Sequence, residues 1–393
     1  MIKKGEGISQ THNERNVGVM RSWFQTWVYQ TAWNLRTIVD EFASGSPKIS
    51  ALKDYQPNFT NKDWPKGRIK RGPAIILGAG PSLDKNIELL KKSEIPVMLS
   101  ETLVGLCKHE GIRTDYIFNY DAGHHWEAFL EGYDVADDTL VTHPGVDTDV
   151  IENWPGKKIY YLMNHISQVE PESMKDGMTL EEIVQVIKKQ IFGSELFEAV
   201  NPTLYPMIST TILNAGCVVN NILQVANFMG FGPFFLVGVD FGFPGDQNRA
   251  RTWSHNSTDD TWESQEPKFG MTDEIAGRVL HIANNGVKTT EEQMEYKLAL
   301  MAVYRIEQAQ IYDCSEGIIT ELPKENLAEV IENNGKGFRK RSVEKIERVC
   351  AEYFAEWNKV SNERNVDRKS KESGTVVDEG TGQREQSPIT VGD

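Results

Sequence analysis

A short apolar run that leads directly into a glycine turn and a helix start constrains this fold more than any other feature of the sequence. Ala74–Leu77 is the strand candidate, Gly78–Ser82 is the turn (Gly-Ala-Gly-Pro-Ser), and Asp84–Lys92 has a helical pattern. Glycine permits tight turns and a close approach of the backbone. Proline is tolerated in the first turn of a helix. This strand–turn–helix unit is typical of a parallel α/β sheet.

The same alternation continues through the centre of the chain. Apolar runs alternate with helical segments of about ten residues, which indicates repeated βαβ units. We therefore predict an α/β, Rossmann-like, mostly parallel sheet with flanking helices, plus helical N-terminal and C-terminal extensions. The further strand candidates are Pro96–Ser100, Tyr116–Tyr120, Thr139–Thr142, Lys158–Leu162, Phe234–Val239 and Ile311–Cys314, and the further helix candidates include Thr102–Glu110, Thr210–Met229, Glu291–Gln310, Glu325–Asn333 and Ser342–Trp357.

Shifts in composition set the predicted domain limits. Residues 1–71 form an N-terminal helical extension and connector. Its aromatic helix, over residues 21–43, carries few basic residues, so we expect it to pack on the main domain rather than on a membrane surface or a partner. Residues 72–323 form the Rossmann-like catalytic domain, and residues 324–358 form C-terminal helices. Residues 359–393 have few large apolar groups and are predicted to be a disordered tail.

The overall charge and the cysteines exclude several classes of function. Lys and Arg number 42 against 57 Asp and Glu, a net charge of −15, which argues against nucleic-acid binding. No apolar signal segment or membrane-spanning run is found, and the oligomeric state stays open. The cysteines form no CxxC pair, so we expect reduced thiols in a cytoplasmic protein rather than a zinc site or disulfides. They are Cys107, Cys217, Cys314 and Cys350.

The first candidate for chemistry is the glycine turn itself. Gly78 and Gly80 would let a ligand approach the backbone, Pro81 needs no amide donor, and Ser82 adds a hydroxyl at the helix N-terminus. Free N–H groups at a helix N-terminus bind anions. The turn lacks the third glycine of a dinucleotide fingerprint and the Gly-Lys-Ser/Thr of a P-loop. We predict an anion site, with an ordinary structural turn as the alternative.

The second candidate follows the strand Tyr116–Tyr120. Asn119 and Asp121 fall at its carboxyl end, where Asn119 would contact a base or ribose and Asp121 a hydroxyl or Mg²⁺. The alternative makes Asp121 the N-cap of a helix over residues 124–131. Three histidines lie nearby in sequence, and each alone is expected to be a surface or hydrogen-bonded residue rather than a base: His124, His125 and His143.

The third candidate is the segment Phe235–Gly242, in which an apolar strand again leads into an acidic residue, Asp240. The predicted helix before it opens at Ser209 and Thr210 and offers a second phosphate or carboxylate site. The polar segment Gly245–Thr258 is predicted to be a mobile loop that closes on a phosphate, with an ordinary surface loop as the alternative. Its cationic and histidine side chains are Arg249, Arg251 and His255.

Four of these segments resemble the motifs of the MptE-like family in the same order. They are Gly78–Asp84, Gly111–Asp121, Phe235–Phe243 and Ile311–Gly317, and the resemblance covers roughly residues 72–333. That family is named after the archaeal 6-hydroxymethylpterin diphosphokinase and includes motility-associated factors that attach nonulosonic acids to flagellin. The glycine turn also resembles that of bacterial sialyltransferases that use a CMP-sugar.

The resemblance implies a nucleotide donor, with Gly78, Gly80 and Ser82 on its phosphate and Asp121 beside the nucleotide. The stretch at Ser209 reads Ser-Thr-Thr where the family usually has Gly-Ser-Val. With the residue patterns above, the predicted donor-binding residues are Gly78, Gly80, Pro81, Ser82, Asn119, Asp121, Ser209 and Thr210. The predicted catalytic residues are His255 and Asp240.

Three functions follow. The first is a nucleotide-sugar-dependent, sialyltransferase-like glycosyltransferase that moves a sugar from a CMP-sugar or another nucleotide sugar to a hydroxyl of a glycan or protein acceptor. The second is an ATP-dependent 6-hydroxymethylpterin diphosphokinase, with Mg²⁺ on Asp121 or Asp240 and a pterin acceptor. The third is a non-catalytic nucleotide-binding module.

Overall fold

The computed structural model describes residues 26–56, 69–164, 207–244 and 280–337, apart from positions 28, 124, 209–210, 214–216, 284 and 308. Within these residues, eight strands form one sheet in which every neighbouring pair is parallel. The sheet confirms the predicted α/β, Rossmann-like fold. Its strands in spatial order are β1 (Ile49–Ala51), β6 (Lys157–Tyr160), β5 (Thr139–Thr142), β4 (Tyr116–Phe118), β3 (Val97–Ser100), β2 (Gly72–Leu77), β9 (Phe231–Val237) and β12 (Ile311–Asp313).

The strand order reverses at β2. From β2 the chain moves outward through β3, β4 and β5 to β6, and it later returns to place β9 on the other side of β2. The register aligns Leu77 with Val237, so both strands end at the same level. Ligands of open α/β sheets bind beyond the carboxyl ends of the strands near such a reversal. The loops after β2 and β9, and those after the neighbouring β3 and β4, are therefore where a site is expected.

Helices cover the sheet because its central strands are apolar on both faces. Ile75 and Ile76, successive residues of β2 that point to opposite faces, are both fully buried. Each such side chain contributes about 1.5–3 kcal/mol by leaving water. The helices are α1 (residues 26–43), α2 (Ile87–Leu90), α3 (Val104–Glu110), α4 (Thr148–Asn153), α5 (Val218–Met229), α6 (Glu291–Glu307) and α7 (Leu327–Glu332).

Short 3₁₀ and π segments and two small sheets complete the described elements. The strand pair β7 and β8 is parallel, and the pair β10 and β11 is antiparallel. These strands are β7 (Leu162–Asn164), β8 (Thr211–Leu213), β10 (Leu280–Ile282) and β11 (Lys288–Thr290), and the short helical segments are Leu52–Tyr55, Pro81–Asn86, Glu101–Leu103 and Trp126–Leu130.

The predicted helix Thr210–Met229 is wrong in its first half. Residues Thr211–Leu213 form β8, and α5 begins only at Val218, with Cys217 at its N-cap. Thr211 and Ile212 are β-branched and suit a strand, and β7 offers them a parallel partner. The position predicted as the helix start therefore lies before a strand.

One strand of the main sheet comes from the N-terminal part of the chain. β1, which we predicted to be connector, pairs with β6 at the sheet edge. Helix α1 packs nearby, with Ile38 in a buried cluster and the Asn34 amide donating to the carbonyls of Pro144 and Val146 at 3.0 and 2.9 Å. In the part of the chain that the structure describes, no helix is long and apolar enough to cross a membrane.

Several predictions fall on residues outside the described ranges. They concern the helix Ser342–Trp357, the tail over 359–393, and the loop Gly245–Thr258. The predicted domain limits stay predictions as well.

Candidate active site at the carboxyl edge of the sheet

Three loops meet tightly where the strand order reverses. They follow β2, β9 and β12, and we call their meeting point the clasp, formed by Gly78–Ser82, Gly238–Asp240 and Ser315–Gly317. A Cβ atom on Gly78 would lie 2.5 Å from the Gly238 carbonyl oxygen, and one on Gly80 would collide with the Asp240 carboxylate. The glycines of the turn are thus required by the approach of another part of the chain.

The centre of the clasp is the Asp240 carboxylate, which is 2% exposed. Its Oδ2 accepts the Ser82 N–H at 2.8 Å, and its Oδ1 accepts the Ser82 hydroxyl at 2.7 Å and the Glu316 N–H at 3.1 Å. Burial raises the pKa of Asp240, and these bonds from Ser82 and Glu316 act against that rise. Both carboxylate oxygens are therefore engaged.

The main-chain donors expected to be free at the turn are in use within the protein. The Gly78 N–H donates to the Val237 carbonyl, the Gly80 N–H donates to the Gly238 carbonyl, and the Ser82 N–H donates to Asp240. A phosphate bound by these three N–H groups would have to displace the Val237 and Gly238 carbonyls as well as the Asp240 carboxylate. The base and metal roles predicted for Asp240 concern a carboxylate that already accepts three hydrogen bonds, and both roles stay predictions.

A second group of polar side chains lies one and two strands away, after β3 and β4. Glu101 follows β3, Asp121 follows β4, and His125 lies on the loop that continues from Asp121. Each of these residues has a ligand atom, and the three atoms lie within 4.8 Å of one another. We call Glu101, Asp121 and His125 the rim cluster. β4 ends at Phe118, before the predicted end at Tyr120, and Asp121 lies in the loop that follows this strand.

Neighbouring groups fix the orientation of His125. Its Nδ1 lies 2.7 Å from Glu101 Oε1, and its ring packs edge-on against Phe129. The Asp147 carboxylate accepts the main-chain N–H groups of His125 and Trp126 at 2.9 and 3.2 Å. Asp147 thereby makes the capping contacts that we had assigned, as an alternative role, to Asp121. A histidine held in this way by a buried carboxylate, with a second carboxylate beside it, can transfer a proton or help to bind a cation.

The electrostatics of the rim cluster are strongly coupled. The Asp121 side chain is exposed, yet protein atoms crowd its carboxyl group and remove part of its hydration, which raises its pKa to about 6. The Glu101 charge adds to this rise and His125 opposes it. Desolvation would lower the pKa of His125, but the hydrogen bond and charge of Glu101, with Asp121 and Asp147, outweigh it and raise that pKa. Perturbed titratable groups of this kind are common at functional sites.

Asn119 follows β4 and His143 follows β5, and the two side chains differ in how well they are paired. Asn119 is fully buried, and neither atom of its amide has a hydrogen-bond partner among the described residues. His143 Nε2 lies 2.9 Å from the Tyr120 carbonyl oxygen, and the Gly145 N–H donates to Nδ1, while burial lowers the His143 pKa to about 4. His143 is therefore a paired core histidine, as expected. The contact of Asn119 with a base or ribose stays a prediction.

Sequence reasoning did not single out Glu101. The available signal was its position, because it follows β3 as Asp121 follows β4, and the carboxyl ends of adjacent parallel strands lie side by side. Other predicted site residues lie outside the described ranges and stay predictions. These are His124, Ser209, Thr210 and His255.

The fold and the rim cluster define a Rossmann-like α/β protein with a polar site at the carboxyl edge of its sheet. The chain belongs to the MptE-like family, since the model of that family, described as 6-hydroxymethylpterin diphosphokinase MptE-like, matches residues 50–246. This membership indicates a transferase. The matched segment contains all of the rim cluster and the first two loops of the clasp. No curated protein matches the chain.

Two solved structures are similar to this chain at low identity. The MAf glycosyltransferase from Magnetospirillum magneticum AMB-1 is 17% identical, with 71% of this chain and 36% of that chain covered and a TM-score of 0.41. The sialyltransferase CstII from Campylobacter jejuni, solved with the substrate analogue cytidine-5'-monophosphate, is 11% identical, with 66% and 87% covered and a TM-score of 0.25. This chain thus spans about a third of the length of the MAf enzyme.

Proposed function

We propose that this protein is a nucleotide-dependent transferase whose donor lies over the rim cluster, and that it moves a sugar from a nucleotide sugar to an acceptor hydroxyl. The observation that carries the proposal is the convergence of Glu101, Asp121 and His125 at the carboxyl ends of β3 and β4, inside the segment that the family model matches. Ligand-binding groups are expected at the carboxyl ends of the strands in a sheet of this topology.

In this reaction the nucleoside phosphate leaves the sugar while the acceptor hydroxyl attacks and gives up its proton to a base. His255 is the proposed base. Asp240, the other residue predicted for that role, already accepts three hydrogen bonds in the clasp. Asp121 is exposed at the rim and is the proposed contact for the donor nucleotide. CMP-sugars are the proposed donors, on the resemblance of the glycine turn to that of sialyltransferases.

The second candidate is an ATP-dependent 6-hydroxymethylpterin diphosphokinase, which the family description favours. That reaction uses Mg²⁺ to neutralise the phosphates, and carboxylates are suitable Mg²⁺ ligands. Asp121 fits this role because it is exposed and adjacent to the Glu101 carboxylate. Asp240 fits it poorly while Ser82 and Glu316 occupy both of its oxygens.

A ligand screen separates the two reactions. Thermal unfolding is measured with CMP, UDP, GDP, ATP and a pterin, each with and without Mg²⁺, because a ligand that binds the native state raises its apparent stability. Stabilisation by CMP or UDP, followed by sugar transfer in a donor assay, supports the glycosyltransferase. Mg²⁺-dependent stabilisation by ATP with pterin turnover supports the diphosphokinase. No response at millimolar concentrations would contradict both and favour a protein that has lost turnover.

The screen includes a pair of variants that test the site. Asp121→Asn removes the exposed charge at the rim and is expected to weaken nucleotide binding by about tenfold or more. Asp137→Asn makes the same chemical change at an exposed aspartate outside the rim cluster and is expected to leave binding unchanged. Equal affinities in the two variants would place the donor elsewhere.

A further inference from the structure

The rim cluster brings together two carboxylates and an imidazole, with ligand atoms within 4.8 Å of one another. We propose that Glu101, Asp121 and His125 bind a divalent transition-metal cation of the Mn²⁺ type. This inference deepens the proposed function and rests on it in one respect only, the use of the cation to neutralise the donor phosphate. Binding of the cation itself is independent of any nucleotide.

An unpaired oxygen in the cluster points to a ligand. Glu101 is 3% exposed, and its Oε1 pairs with His125, but its buried Oε2 has no hydrogen-bond partner among the described residues. A buried carboxylate oxygen without a partner is costly, and buried charges are normally paired or coordinate a metal. A bound cation would supply the missing partner for Glu101.

The presence of a second carboxylate, Asp121, favours a cation site over a histidine base that is oriented by one carboxylate. A histidine base needs one orienting carboxylate, and Glu101 already fills that role for His125. Asp121 adds a further negative charge at the same point, where it repels the Glu101 carboxylate. A divalent cation between the two carboxylates would turn this repulsion into attraction.

The types of ligand indicate the class of ion. Imidazole nitrogen suits first-row transition metals, whereas Mg²⁺ and Ca²⁺ prefer oxygen ligands alone. Two carboxylates with one histidine therefore favour Mn²⁺ over Mg²⁺. Three protein ligands also leave coordination positions open for water or a phosphate oxygen. The site is held in place from outside, because Asp147 binds the main chain of His125.

The test is calorimetric titration of the full chain with MnCl₂ near neutral pH, in the absence of nucleotide, and parallel titration with MgCl₂. We expect one Mn²⁺ per chain, with affinity for Mn²⁺ at least about tenfold above that for Mg²⁺. Asp121→Asn and His125→Gln are each expected to weaken Mn²⁺ binding by more than about tenfold, as is Glu101→Gln. Glu127→Gln neutralises an exposed acid two residues after His125 and is the matched control, expected to bind as the wild type does.

Three results would overturn the proposal. They are the absence of Mn²⁺ binding by the wild type, equal affinities for Mn²⁺ and Mg²⁺, and equal affinities in Asp121→Asn and Glu127→Gln. Because Asp121 is exposed, its variant keeps the test valid even if substitution of the buried Glu101 prevents folding. Failure of the proposed function is a different result: Mn²⁺ binds, but no nucleotide stabilises the Mn²⁺-loaded protein. Nucleotide binding without Mn²⁺ binding would overturn only the metal site.

Discussion

Replacing Asp240 with asparagine tests whether the clasp is a structural element. The side chain keeps its shape, but an amide has one acceptor atom where the carboxylate has two. In one orientation the new NH₂ group faces the Glu316 N–H, and in the other it faces the Ser82 N–H. Either way one buried main-chain donor loses its partner and meets another donor.

The magnitude follows from these contacts. An unpaired buried donor costs about 1–3 kcal/mol, and the remaining bonds weaken because their acceptor is no longer charged. Removal of a desolvated charge offsets part of this cost, so we expect Asp240→Asn to lower the free energy of unfolding by about 2 kcal/mol. Asp240→Ala removes all three bonds and is expected to cost about 4 kcal/mol. Ser82→Ala removes only the hydroxyl bond and should cost about 1 kcal/mol.

Urea and thermal unfolding measure these differences. For Asp240→Asn we expect the melting temperature to fall by about 4–8 °C. Asp137→Asn, at an exposed position, is the control and should unfold like the wild type. The reasoning is refuted if Asp240→Asn is as stable as the wild type. Ser82→Ala adds a second measurement, because a loss of nucleotide affinity without a loss of stability would give Ser82 the phosphate role instead of the clasp role.

Three further predictions concern His143, Gly123 and Asn34. His143 is held neutral by burial with a pKa of about 4, so the unfolded state takes up a proton at this residue as the pH falls from about 6.5 to 4, and stability is lost in that window. The loss is about 3 kcal/mol, and pH-dependent unfolding of His143→Gln should lack it. In Gly123→Ala, the new Cβ would lie 2.8 Å from the His125 ring. Displacement of the ring should weaken Mn²⁺ binding with little change in melting temperature, and unaltered binding would contradict this. Asn34→Ala breaks two hydrogen bonds between α1 and the loop after β5 and should cost about 2–3 kcal/mol in urea unfolding, whereas a loss under about 0.5 kcal/mol would mean that α1 is held mainly by its apolar contacts.

The parallel sheet was predictable because its strands are short apolar runs separated by helical segments. Such runs arise because these strands are buried on both faces, and they can be recognised in the sequence without knowing which strands pair. The helix predicted over Thr210–Met229 was wrong in its first half because a contact distant in sequence decides the structure there. Its β-branched residues Thr211 and Ile212 suit a strand, but the strand forms by pairing with β7, which lies about fifty residues earlier in the chain.

The glycine turn shows a second limit of sequence reasoning. Gly78 and Gly80 correctly indicate a place where something approaches the backbone closely. The sequence does not say whether that is a ligand or another part of the chain, and here it is a loop whose Asp240 lies 158 residues from Ser82. Contacts at such separations depend on the strand order, which the local pattern does not contain.

Hydrogen-bond pairing distinguishes the roles of the two polar groups at this sheet edge. Asp240 is buried, and every oxygen of its carboxylate accepts a bond from the protein, so the clasp is complete as it stands. The rim cluster is incomplete, because Glu101 keeps an unpaired buried oxygen and Asp121 carries a charge that its surroundings disfavour. Folding alone gives no reason to retain groups that cost stability, whereas binding does. We therefore expect the donor nucleotide to bind at the carboxyl ends of β3 and β4, one and two strands away from the glycine turn.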